Sequence, residues 1–316
     1  MTIRPFEDHD YPGIVSVGNA IYSDYPWSVD ETRHEDARFD GVRFVQRRFV
    51  AALPDGRVVA HSGFHHVPNM YHPQKFWVDV LVHPEFQRRG FGSRLYDHLM
   101  AGLAPSRPVM LWSNVRETFA DSLRFAKRRG FAEIRRAWES RLDVASFNPA
   151  PFQARAEAAM NRMAVVTVAE ERERDPRCRE KLYDMHVEVL ADVPQPDAYT
   201  PQTIDQFQQR LLDNPAYVPG GHFLAKDDDR YIAESFVFRS DERPDVLYQG
   251  LTATRREYRG RGIALALKLR VVAFAKQRGY REIRTWNDTL NAPMLHINET
   301  MGFVRQPAWV MLAKAP

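Results

Sequence analysis

The chain of 316 residues is long for one domain and comfortable for two, each large enough to bury its own core. With 44% hydrophobic and 27% charged residues, and a net charge of +3 from 44 basic and 41 acidic side chains, it has an ordinary globular make-up. Charge gives no support to a nucleic-acid or membrane-surface partner, and the single cysteine, Cys178, excludes a disulfide framework or a multi-cysteine metal site.

A short strand at Thr2 to Arg4 leads through Asp8-His9-Asp10 into a helix carried by Ile14, Val17 and Ile21. The next loop, Tyr22 to Ser28, is aromatic for a connection; Tyr25 and Trp27 either wall a ligand pocket or pack on the core. Arg48 to Ala52 and Val58 to His65 read as a hairpin turned by Pro54-Asp55-Gly56. His61, His65, His66 and His72 lack a cysteine or an ordered acidic partner to complete a ligand set, so they read as polar surface histidines and no metal is expected.

Phe76 to Val82 is the best strand of the first half, and it feeds Gln87-Arg88-Arg89-Gly90-Phe91-Gly92. Phe91, Leu95, Leu99 and Leu103 then form the apolar stripe of a helix. Val109 to Trp112 is a strand, Phe119 to Arg129 a helix stopped by Gly130, and Arg136 to Leu142 a closing strand. The basic run Arg124 to Arg136 reads as a solvated face. Asn148-Pro149-Ala150-Pro151 marks a boundary, followed by an Ala-rich, helix-favouring stretch to Met163.

From Val165 the plan repeats. Gly90 and Gly262 stand 172 positions apart, and so do Gly130-Phe131 and Gly302-Phe303. Ile263, Leu267, Val271 and Ala275 repeat the helix stripe at the same separation, and Ala191-Asp192-Val193-Pro194 loosely echoes Ser23-Asp24-Tyr25-Pro26. Two copies of one domain follow: residues 1–146 and 164–316, joined by a partly helical linker over 147–163.

The second loop is Arg259-Gly260-Arg261-Gly262-Ile263-Ala264. Strand, glycine turn, then helix aims free backbone N–H groups and the positive end of a helix dipole at one point, a place for a phosphate. A dinucleotide-binding loop needs a third small residue where Leu95 and Leu267 stand, and neither loop ends in the Gly-Lys-Ser/Thr of a nucleotide triphosphatase.

The shared pattern, Gln/Arg-x-x-Gly-x-Gly/Ala, resembles the pyrophosphate loop of the GNAT family of N-acetyltransferases, and over nearly the whole chain. The resemblance implies an α+β fold of two tandem domains, each a twisted mixed sheet flanked by helices. It implies acetyl-CoA as cofactor, with the pantetheine arm lying along Val80, Leu81 and Val82 in the first copy and Thr252, Ala253 and Thr254 in the second. A backbone N–H there can steady the developing oxyanion.

The reaction it implies is attack of a primary amine on the thioester, which a base and an acid within reach would help. The family's tyrosine acid falls on Ala126 and Asn298, and its cofactor-contacting asparagine on Phe119 and Asn291. The second copy is therefore expected to be the working one. Asp79 and Glu234 are candidate bases, Asn298 a hydrogen-bonding substitute at the sulfur, and Tyr248 and Tyr258 substitute acids. Cys178, among Arg177, Arg179 and Lys181, would be acidified if exposed, but reads as incidental. No run approaches the roughly 18 apolar residues of a membrane helix, and Met1 to Asp8 has no signal core, so a cytoplasmic protein is expected. A small-molecule amine is the expected partner, and a monomer with an internal pseudo-dimer or a homodimer the expected state. A non-catalytic acyl-CoA-binding module and an enzyme acetylating a protein amine remain the alternatives.

Overall fold

The computed structural model describes residues 1–161 and 163–316. From the N-terminus, β1 (Thr2–Pro5) is followed by α1 (Tyr11–Ile21), α2 (Val29–Ala37) and the strands β2 (Gln46–Ala52), β3 (Val58–His65) and β4 (Lys75–Val82). Then come α3 (Phe91–Leu103), β5 (Met110–Arg116), α4 (Ala120–Arg128), β6 (Ala132–Asp143) and α5 (Ala150–Met160). The plan recurs as β7 (Ala164–Thr167), α6 (Val168–Arg174), α7 (Cys178–Leu190), α8 (Ile204–Phe207), β8 (Phe223–Asp227), β9 (Arg230–Arg239) and β10 (Val246–Thr254). The chain ends with α9 (Ile263–Gln277), β11 (Glu282–Asp288), α10 (Ala292–Thr300), β12 (Val304–Arg305) and β13 (Trp309–Lys314).

Contacts group these elements into two compact units, Met1–Arg135 with Asp197–Thr200 and Val310–Pro316, and Arg136–Pro196 with Pro201–Trp309. The turn at 148–151 lies inside the second unit. So does α5, which occupies most of the expected linker; Arg162 of that linker is outside the described residues.

In the first unit the strand order is β1-β2-β3-β4-β5-β13, antiparallel from β1 to β4 and parallel between β4 and β5. Leu95, Leu99 and Leu103 of α3 are each 0% exposed and meet Phe64, Phe76, Val78 and Leu111 of the sheet, together with Val310 and Leu312 of β13. Truncating any of those leucines to alanine would cost about 2–5 kcal/mol. α1 covers the other face through Tyr11 and Ile14, packed with Val50. Residues 197–200 are tied into this unit by the Lys75–Asp197 ion pair and by the Thr200 N–H donating to Asn69 O at 2.8 Å.

The second unit repeats the layers, with strand order β6-β11-β10-β9-β8-β7 and β10 parallel to β11. Ile263, Leu267, Val271 and Ala275 of α9 are at most 1% exposed, so the stripe that the repeat predicts is buried in both copies. α7 covers the opposite face with Leu182, Met185 and Val189.

Two elements depart from the sequence reading. α2 was not foreseen: it is polar all round, with no buried residue, and rests on a capping box in which Ser28 Oγ accepts from the Glu31 N–H at 3.0 Å and Glu31 Oε2 from the Ser28 N–H at 2.7 Å. Of the four histidines, His66 is not a surface residue, and His61 and His65 are only partly exposed. His66 is 4% exposed with its ring stacked on Phe76, and burial, with Arg48 adding to it, pushes His61 and His65 down to about 4.

Candidate functional site

In both units a parallel strand pair opens into a fork. β4 pairs with β5 at Lys75–Met110, Phe76–Leu111 and Trp77–Trp112, and β10 with β11 at Val246–Glu282, Leu247–Ile283 and Tyr248–Arg284. Beyond those pairs Val80, Leu81, Val82 and Thr252, Ala253, Thr254 keep their antiparallel partner on one side only. Main-chain groups facing the fork are then available to an extended ligand. In β10 the register also slips between Gln249 and Thr252, a bulge at Gly250 and Leu251. Gly250 is needed there, because a Cβ would stand 2.1 Å from the Phe236 ring.

The strands lead into the two glycine loops. Gln87 Nε2–H donates to Val82 O at 3.0 Å, and Arg259 Nε–H donates to Thr254 O at 2.9 Å, the same clasp at the repeat's separation. Gly90 and Gly262 are the N-caps of α3 and α9, both with φ of +84°, and Gly260 has φ of +76°. Neither helix start has a side-chain cap, whereas Ser28, Thr167, Thr203 and Asn291 cap α2, α6, α8 and α10. The uncapped N–H groups of α3 and α9 suit an anion. Gly92 lies against Phe125, where a Cβ would be in contact at 3.4 Å, and Phe91 packs on the first core.

The loops differ in their surroundings. Nothing stands within 4 Å of a Cβ built on Gly90, whereas one on Gly262 would meet Ala159 of α5 at 3.4 Å. Arg155, Ala158, Ala159, Asn161, Met163 and Arg261 line a cavity of about 400 Å³ beside that second loop. Arg256 and Arg259 both bind Asp192, and the Arg256 hydrogen bond does most to bring that carboxyl down to about 2.

Glu234 is 0% exposed on β9. Its Oε1 is 2.8 Å from His186 Nδ1 and its Oε2 3.1 Å from His222 Nε2, while His222 Nδ1 is 2.7 Å from the Tyr217 hydroxyl. Burial raises its pKa, but the two imidazoles, His186 first, win and hold it at about 2. In the first unit Asp79 accepts from Trp77 Nε1–H at 3.1 Å and burial lifts it to about 6. Tyr22, raised to about 12 by burial and by Asp79, stacks on Phe119, and Arg116 sits 3.3 Å from Asp24 with its guanidinium over Tyr25. Trp27, in contrast, is 50% exposed rather than packed in the core.

Other singled-out residues lie at or away from the forks. Tyr248 stands at the last paired position of β10, its ring stacked on Trp286 at 5.8 Å. Tyr258 donates to Asp227 Oδ2 at 2.7 Å, so its proton is already engaged. Asn291 Oδ1 accepts from the Met294 N–H at 3.4 Å as the cap of α10. Asn298 is 1% exposed, with Nδ2 donating to Asn287 Oδ1 at 2.6 Å and its own Oδ1 unsatisfied. Cys178 is buried and its thiol pushed up by burial, the reverse of an activated cysteine. His186, His222, Tyr217 and Lys268 are residues of this unit that the sequence reading did not single out, and Asp192 was noted only as part of the loop that echoes Ser23 to Pro26.

Comparison with known proteins settles the family. A family model described as Acetyltransferase (GNAT) family matches residues 14–131 and 180–303. This chain is a member of the GNAT acetyltransferase family. Its GNAT relatives include the mycothiol acetyltransferase of Thermobifida fusca (strain YX), 25% identical over 283 residues, which cover 85% of this chain and 84% of that one. The mycothiol acetyltransferase of Actinosynnema mirum is 23% identical over 313 residues, 97% of this chain and 92% of that one. Among solved structures, a tandem GNAT protein from the clavulanic acid biosynthesis pathway superposes with a TM-score of 0.76 at 20% identity, covering 99% of this chain and 97% of that one. A GCN5-related N-acetyltransferase from Sphaerobacter thermophilus gives 0.73 at 19% identity over 99% and 95%. The two matched regions and these neighbours establish a tandem α+β GNAT acyltransferase. Among the described residues no helix is long and apolar enough to cross a membrane.

Proposed function

We propose that this GNAT protein transfers an acetyl group from acetyl-CoA to the primary amine of a small molecule, and that the second unit carries the reaction. The observation that bears most weight is the unbroken run in that unit from the bulged fork of β10 into the left-handed glycine that starts an uncapped helix. Such a run offers main-chain groups at Thr252, Ala253 and Thr254 to an extended arm, and the N–H groups of residues 259–264 to a pyrophosphate. Acetyl-CoA, when bound, supplies the activated acyl group as a thioester. The fit is supported by the donors left uncapped at α9 and by the absence of a Cβ at Gly260 and Gly262. Asn291, spent on capping α10, has its amide N–H groups left for the cofactor.

Glu234 supports the reading through a neighbour, since both of its carboxylate oxygens are already taken, by His186 and His222. Held ionised, it fixes His186 through the 2.8 Å contact at Nδ1, which leaves Nε2 as the other ring nitrogen. His186 then serves as proton acceptor for the attacking amine. The names of the curated relatives make mycothiol-type acceptors the first to try. The near-balanced charge favours a small molecule over a protein tail.

A second reading places turnover in the first unit. Two observations favour it: Gly90 is open where Gly262 is approached by α5, and Asp79, at about 6, is closer to a working base than a carboxylate held at 2.

Calorimetric titration of acetyl-CoA into wild type, Gly90→Asp and Gly262→Asp separates the two. A carboxylate in a loop repels the pyrophosphate and blocks its N–H contacts, so the affected unit should lose about 2 kcal/mol or more of binding. Loss confined to Gly262→Asp supports the proposal, and loss confined to Gly90→Asp replaces it with the second reading. Wild type that fails to bind acetyl-CoA would refute both.

A further inference from the structure

The buried face of α9 carries a charge-bearing side chain in the middle of its apolar stripe. Lys268 is 1% exposed, and its hydrogen-bond partner among the described residues is Gln249 Oε1, at 3.5 Å. An ammonium has three donors, so two are left without an acceptor among the described residues, an arrangement that costs free energy unless something uses it. Gln249 is not free to turn and improve the contact. Its Nε2 donates to Phe236 O at 2.6 Å and to Ser235 Oγ at 3.3 Å, and Ser235 Oγ in turn shares a hydrogen with Thr252 Oγ1 at 2.8 Å.

The position of this group is what gives it a use. Gln249 is the residue immediately after Tyr248, the last of β10 to pair with β11, so Lys268 lies beneath the point where the fork opens. The Phe303 ring is 4.8 Å from its Nζ. Asn298, whose main-chain O accepts from the Phe303 N–H at 2.9 Å, is bound to Asn287 of β11 and keeps an Oδ1 unsatisfied among the described residues. A buried donor on α9 is thus tied to one arm of the fork, β10, and a buried acceptor on α10 to the other, β11, each short of a partner among the described residues.

We propose that Lys268 donates the proton that the sulfur of coenzyme A takes up as it leaves. The amine nitrogen forms its bond to the acyl carbon and the carbon–sulfur bond breaks. The sulfur gains a proton from the Lys268 ammonium, and the proton shed by the new amide nitrogen passes to the base or to water, from which Lys268 is recharged. Amine and thioester become amide and thiol with nothing left over. Asn298, a neutral amide, accepts a hydrogen bond at the fork and gives up no proton. The chemistry of the lysine suits the task, because burial pushes it down to about 7 with no charged neighbour contributing. The groups facing it are Gln249 from β10, Ser235 of β9 behind that amide, and Phe303, none of which titrates.

This inference rests on the reading of the second unit as an acetyl-CoA site, and a test on free coenzyme A keeps the two apart. Coenzyme A is titrated onto wild type, Lys268→Met and Gly262→Asp, and the ultraviolet absorbance of the thiolate is followed against pH for the bound ligand. Lys268→Met is near in length and removes a buried charge, so it should fold at least as well as wild type. Bound thiol in wild type is expected to ionise about one pH unit lower than in Lys268→Met, a tenfold difference in thiolate at a given pH, with binding itself little changed. Equal thiolate titrations in the two proteins would overturn the role of Lys268 and leave the binding site intact. Coenzyme A that binds Gly262→Asp as tightly as wild type would overturn the site and the inference together.

Discussion

Asp79 stands two residues beyond Trp77, the last of β4 to pair with β5, and burial holds its carboxyl at about 6 against 3.8 for an ordinary aspartate. A pKa raised by folding means that the folded state binds the proton more tightly. The stability it contributes is therefore full below about pH 4 and is lost as the pH rises through 6. Asp79→Asn, which keeps the shape and cannot ionise, should equal wild type in urea unfolding at pH 4 and exceed it by about 1–3 kcal/mol at pH 8. The same difference at both pH values would show that the carboxyl is not strained by burial. Glu234 is the contrasting case, a carboxylate buried more completely yet held at about 2, because two imidazoles face it where Asp79 has an indole N–H.

The bulge in β10 depends on one glycine meeting one ring. With Gly250→Ala the new Cβ falls 2.1 Å from Phe236 Cε2, and the 4% exposed ring has little room to withdraw. Gly250→Ala should cost about 1–3 kcal/mol in chemical denaturation, and Phe236→Leu added to it should recover part of the loss. A neutral Gly250→Ala would mean that the ring can move and that the bulge is not fixed by it. Elements of this kind show where sequence reading ends. The loops and the helices after them were legible, because glycine at a positive φ and a stripe at i, i+4 leave marks that survive in both copies. The capping box of α2 was present as Ser28 and Glu31 but lacked the apolar stripe that would have drawn attention to it. Where β10 leaves β11 is set by pairing across the sheet, and no local pattern records it. Glu234 was singled out from the sequence and Lys268 was passed over, and the partners that decide their roles, His186 and His222 for one and Gln249 for the other, come from other elements of the fold.

Across the whole molecule, the boundary written in the sequence and the grouping made by contacts do not coincide. Val310 and Leu312, 1% and 5% exposed, belong to the core of the first unit, while 136–143 of β6 belong to the second. A chain stopped after Trp309 should lose at least about 3 kcal/mol from the first unit, from the burial of those two side chains alone. Hydrogen exchange should show the loss in β4, β5 and α3, with α9 and β10 still protected. Uniform loss across both units would mean that they do not unfold separately. The same strand membership bears on synthesis. The first unit is encoded first, yet its sheet lacks β13 until the entire second unit has been translated. At about 5–20 residues per second that is a delay on the order of 10 s or more, during which the edge of β5 stands open on the ribosome. A nascent chain of this protein would therefore present its aggregation hazard early and close it last, and a chaperone that shields exposed strand edges would be needed most before the final residues emerge.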